Sequence, residues 1–166
     1  MKIIIYMALV VILIPTLSYG EDKHLPKRDK DAVGSLSRGL RTLLSKEMLA
    51  LQGGMTSIIP AYVSGNWSEI EKTAGKMKNS YIMKQKLTHN QKKELHSKLP
   101  SAFIEQDQRF HYLADMLEHA AKNKKAELIN FYFSEMNESC VNCHIQFATH
   151  KFPALSPKEK NGEHSH

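Results

Sequence analysis

The stretch LINFYFSEMNESCVNCHIQF, residues 128–147, decides how this chain is read. Its apolar residues Leu128, Ile129, Tyr132, Phe133, Met136, Cys140, Cys143 and Phe147 recur mainly at spacings of three and four, which lays them along one face of a helix. Cys140 and Cys143 are the only cysteines in the chain, and both fall on that face. Residues three or four apart on a helix are neighbours, so His144, four places after Cys140, joins the two thiols. Two thiols and an imidazole therefore project together from a predicted last helix spanning about residues 125–149.

The rest of the chain supplies that helix with partners. A first helix is predicted from about 31 to 63, with Leu36, Leu40, Leu44, Met48, Leu51 and Met55 on one stripe. Gly53 and Gly54 interrupt it. Each costs about 1 kcal/mol relative to alanine in a helix interior, so the pair predicts a close backbone approach, one that would also admit a flat group. Pro60 is expected to kink the final turns. A second helix is predicted from Trp67 to Met83, opened by Asn66 with Glu69 three places on. Its inner face is Trp67, Ile70, Ala74, Met77 and Tyr81. Thr88 and Gln91 are placed to cap a short connecting helix that Pro100 ends. A third long helix follows over about 101–122, with Phe103, Phe110, Leu113, Leu117 and Ala121 inward. No segment alternates apolar and polar residues as a strand does. Four long helices in one small domain predict an all-α, antiparallel four-helix bundle.

The ends of the chain speak to location. Residues 1–20, MKIIIYMALVVILIPTLSYG, carry Lys2, an apolar run, and small residues before a cleavage point after Gly20. That is the layout of a secretory signal peptide, and the run of about 12 apolar residues is short for a membrane span. An uncleaved anchor is the alternative, and it suits the flanks less well. Residues 21–32 read as a leader, 33–152 as the bundle domain, and 153–166 as a polar tail without an apolar face. The formal net charge of +6 is mild. Lys84, Lys86, Lys92, Lys93, Lys98, Lys122, Lys124 and Lys125 fall mostly near helix ends and connections, as a solvated surface would have them. Nothing resembles a nucleic-acid-binding stripe.

The chemistry of CVNCH narrows the choice. C-x-x-C-H is the attachment sequence for c-type heme: each thiol adds to a vinyl group on one porphyrin edge, and the adjacent imidazole ligates the iron. A structural zinc site needs four protein ligands. None of His89, His96, His111, His119 and His150 forms a spaced pair with a matching partner. A thioredoxin-like dithiol expects a βαβ setting, and a disulfide across two residues within a helix is strained. No acid–base or nucleophile constellation is visible, so no substrate turnover is expected. An exported helical interaction module without heme is the remaining alternative.

Set in the last helix of a predicted bundle behind an export signal, CVNCHIQF resembles the heme site of the class II c-type cytochromes. These include cytochrome c′ and its low-spin relatives, and the resemblance covers about residues 33–152. It implies one covalent heme c held by thioethers to Cys140 and Cys143, with iron bound by His144 and Phe147 packed nearby. It also implies that the first helix covers the opposite face. In low-spin members a methionine there ligates iron; Met48 is the candidate, with Met55 second. His111 is a further possible ligand, although a surface ion pair with Asp107 four places earlier is the expected role. In cytochrome c′ itself the distal face is closed by an apolar residue, and five-coordinate iron binds nitric oxide or carbon monoxide. Such proteins commonly carry a basic residue four places after the histidine; Ala148 stands there in this chain, which counts against the gas-binding subtype. The resemblance thus implies a periplasmic monoheme carrier of single electrons, serving redox partner proteins and forming a possible homodimer. Gas binding is the alternative.

Overall fold

Backbone capping decides where the helices begin and end. The computed structural model describes residues 32–80 and 86–156. Helix α1 spans Arg38–Val63, starting later than the predicted 31. The segment before it is a turn, held by the Arg41 guanidinium donating to the carbonyls of Gly34 (2.8 Å) and Leu36 (2.6 Å). The N-cap backbone N–H of Ser37 donates to Glu94 at 2.6 Å. α1 runs on through Pro60 to Val63. A tight turn follows in which Gly65 takes φ +69°, a left-handed conformation open to glycine at little cost.

Helix α2, Trp67–Asn79, opens on Asn66, whose side chain accepts from the Glu69 N–H. It stops short of the predicted Met83, because the backbone N–H and hydroxyl of Ser80 both turn back to the Met77 carbonyl. Tyr81 and Met83 lie outside the described residues. Helix α3, His89–Lys98, has a complete capping box between Thr88 and Gln91. Pro100 separates it from α4, Ser101–Lys122. Lys124, at φ +54°, turns the chain into α5, Ala126–Phe147. A 3-10 turn at Pro153–Leu155 follows, within the segment assigned from sequence to the tail. The predicted signal peptide and residues 157–166 lie outside the described residues.

Among the described residues the fold is all-α: four longer helices and one short one with antiparallel packing contacts. α1 packs on α2, α2 on α4, and α4 on α5. Lys78 on α2 bridges Asp115 (3.0 Å) and Glu118 on α4, and Arg109 on α4 meets Glu135 on α5 at 3.2 Å. No described helix is long and apolar enough to cross a membrane.

The interior divides in two. One cluster gathers Leu51, Met55, Ile70, Met77, Leu117 and Met136 with their neighbours. The other gathers Leu36, Leu40, Leu44, Leu95, Phe103 and Phe147. The predicted inner residues Phe103, Phe110, Leu113, Leu117 and Ala121 are all buried. Leu128 is a correction: it is 47% exposed, because Ile129 beside it takes the inward position.

Candidate functional site

Among the described residues, Met48 is the one side chain that packs, partly buried, against both core clusters. On α5, Cys140 packs against the first cluster and Cys143 against the second. The two thiols, one helical turn apart, thus straddle the same boundary that Met48 spans from α1. α1 and α5 are not among the described helix pairs whose backbones run close together.

Both cysteines are free. Burial pushes the Cys140 thiol up from its ordinary value. Burial, with the charges of Asp107 and Cys140 adding to it, pushes Cys143 up to about 12. Both are thiols at neutral pH, and a buried thiol behaves as a small apolar group until something reacts with it. His144 moves the other way. Burial first, and the Lys151 charge second, hold its imidazole below the usual range. A neutral imidazole keeps an in-plane lone pair for a metal. Its ring is stacked on Phe152, with centroids 4.4 Å apart and planes 14° from parallel. Phe147 is buried in the second cluster, where its ring meets Phe103 edge-on at 5.3 Å.

Beside this boundary lies a polar group that sequence reasoning placed wrongly. His111 is 7% exposed, so the expected surface pairing with Asp107 is corrected: its Nε2 lies in the interior, 3.5 Å from Asp107 Oδ1. Its Nδ1–H donates to the Met77 carbonyl at 2.9 Å, and Nε2 lies 3.8 Å from Glu47. Asp107 on α4 and Glu47 on α1 are buried as well. The signal was present in the sequence. Glu47 continues the spacing of Leu40, Leu44 and Leu51, and Asp107 that of Phe103, Phe110 and Ala114, so each is a charged residue on an apolar stripe. These three groups tie α1 to α2 and α4 next to the candidate site. Among the described residues, no set of three or more histidine, cysteine and acidic side chains is arranged to hold a metal ion.

Met55 lies deeper than Met48, within the first cluster. Of the glycine pair, only Gly54 has the expected close neighbour, and that neighbour is α2: an added Cβ would sit 2.7 Å from Met77 Sδ. Gly53 has nothing within 4 Å. Gly54 therefore serves α1–α2 packing, and Gly53 does not.

The thiols fit covalent heme attachment chemically: both are protonated and share one helix face, and the imidazole next to them is neutral. No protein-family model, curated protein or solved structure matches the chain.

Proposed function

We propose that this protein is an exported, periplasmic monoheme c-type cytochrome that carries single electrons. The observation that supports the reading is the placement of Cys140, Cys143 and His144 on one turn of α5, with Cys140 packed against one core cluster, Cys143 against the other, and His144 held below its usual pKa range by burial. Bound heme supplies an iron that gains and loses one electron, with a potential set by its axial ligands and burial.

The chain's own residues do the rest. Cys140 and Cys143 carry the two sulfurs that would bond the vinyl carbons, and each bond leaves the sulfur as an uncharged thioether suited to a buried place. His144 offers a ring nitrogen without first losing a proton. Met48 on α1 would offer a thioether, a ligand type that raises the potential. The two apolar clusters on either side exclude water, which disfavours the more highly charged oxidised state.

The test is a pyridine hemochrome assay on protein produced with a c-heme maturation system. A covalent heme whose mass stays with the chain after denaturation is expected. The Cys140→Ser, Cys143→Ser double variant is expected to lose it completely. Colourless wild-type protein from a system that loads a control cytochrome would overturn the proposal. Carbon monoxide then separates electron carriage from the gas-binding reading. A reduced low-spin spectrum unmoved by the gas supports the carrier, whereas a high-spin spectrum that shifts supports gas binding.

A further inference from the structure

After α5 ends, the chain folds back onto the turn that carries His144. The Ala148 N–H donates to the His144 carbonyl at 3.0 Å, and the Ala148 carbonyl accepts from both Lys151 (2.9 Å) and Phe152 (3.0 Å). Pro153 then starts a 3-10 turn that packs against α5. These bonds fix where Phe152 can be, and its ring lies face to face with the His144 ring.

The orientation matters because the lone pairs of imidazole lie in the ring plane. A face-on neighbour restrains that plane and shields one face while leaving the edge, with both nitrogens, free. His111 shows the other arrangement: Phe110 meets it at 89°, and Nδ1 is committed to the Met77 carbonyl. That histidine is packed as part of the core; His144 is held as a plane with its edge available. Ala148 contributes by being small. It lies four residues after His144, so a long side chain there would reach toward the imidazole and compete for the space that Phe152 fills. Phe152 itself is 42% exposed and adds little to either core cluster. An apolar ring kept partly in water on a turn built to hold it has its clearest use in what it touches.

We infer that Phe152 is a positioning residue for His144, fixing the imidazole plane and excluding water from one face of it through the turn at 148–155. The inference rests on the cytochrome reading for its consequence, and on the ring geometry alone for the stack.

The experiment uses the full chain produced with heme maturation, as wild type and as Phe152→Ala, Phe152→Leu and Phe152→Tyr. Phe131→Ala, which removes an exposed ring elsewhere on α5, serves as the control. In the ferric protein, electron paramagnetic resonance reads the spread of imidazole orientations. Phe152→Ala and Phe152→Leu are expected to broaden or split the signal, while Phe152→Tyr and the control keep the wild-type line. The reduction potential of Phe152→Ala is expected to fall, because water admitted beside the ligand favours the charged ferric form. A Phe152→Ala protein with both the line shape and the potential of wild type overturns the inference. If the protein carries no heme, the cytochrome reading fails and the stack is tested by NMR. The His144 ring protons are then expected upfield in wild type and at ordinary shifts in Phe152→Leu. Equal shifts in the two overturn the positioning role independently of heme.

Discussion

Helix α1 has two seams, and they are built differently. Against α2, the backbone comes close: Gly54 leaves room for Met77, and a Cβ there would stand 2.7 Å from the sulfur and 3.5 Å from Thr73 Cγ2. Elsewhere α1 presents Met48, partly buried against both core clusters, while on α5 Cys140 packs against one cluster and Cys143 against the other. Next to that second seam the fold also buries Glu47, Asp107 and His111. Buried charged groups are expensive to desolvate and are often replaceable by apolar ones without loss of stability. A bundle selected only to be stable would close both seams in the manner of the first. The contrast teaches that packing economy marks the α1–α2 seam as structural, whereas the buried polar group whose Asp107 lies near Cys143 is not explained by packing economy.

The sharpest way to break the contrast is Met48→Ala in heme-loaded protein. If Met48 ligates iron from the α1 side, the low-spin spectrum should disappear, a high-spin one should replace it, and the reduced protein should begin to bind carbon monoxide. Met55→Ala, within the first cluster, should keep the low-spin spectrum and lose stability instead, by about 2–5 kcal/mol in a denaturant titration. A low-spin Met48→Ala protein would remove Met48 from the site and leave the α1–α5 seam without its α1 ligand.

Much of this was legible before any coordinates. Helical periodicity found the four longer helices of the described residues, and the cap of Thr88 with Gln91 found the short α3. The ends that were misplaced are those set by long-range or backbone bonds. The start of α1 depends on Glu94, far away in sequence, and the end of α2 on the Met77 carbonyl. Leu128 was assigned inward because two adjacent apolar residues cannot be told apart by period alone; Ile129 took the place. Local spacing was enough to place Cys140, Cys143 and His144 together on the last helix. It was not enough for His111, whose burial depends on where α1 and α2 cross α4. Phe152 was hidden for a related reason: it reaches His144 through a chain reversal that carries no periodic signal.

The adjacent glycines test the α1–α2 seam within a single turn of helix. Alanine at 53 meets nothing within 4 Å, so Gly53→Ala should gain the usual helix advantage of about 0.5–1 kcal/mol. Alanine at 54 gains the same advantage but must displace the buried Met77, and overpacking a core costs about 1–3 kcal/mol. Gly54→Ala should therefore be neutral to destabilising, by up to about 2 kcal/mol. Urea titrations should show midpoints moving apart with similar slopes. Two variants stabilised equally would mean that Met77 yields freely and that the first seam is no tighter than the second.

The smallest effect lies farthest from both seams, where α3 holds the start of α1. Glu94 accepts from the Ser37 N–H at 2.6 Å and from Lys98 at 3.0 Å. Lys98 first, and the Ser37 backbone second, hold its carboxyl below the ordinary value of 4.5. For a carboxyl depressed in the folded state, the unfolded chain takes up the proton first as pH falls. The contribution is therefore complete above about 4.5 and is lost as pH drops through the folded value. Glu94→Gln keeps an acceptor for Ser37 and removes only the charge. Its melting temperature should lie slightly below wild type at pH 7, and the gap should close by pH 3. High salt at pH 7 should narrow the gap too, because the pair is exposed to solvent. The heme spectrum should not change in this variant, since Glu94 braces α1 at its first turn, about ten residues or three turns before Met48. A spectral change would show that the end of α1 and the α1–α5 seam move together, and that the two seams are coupled along the helix that shares them.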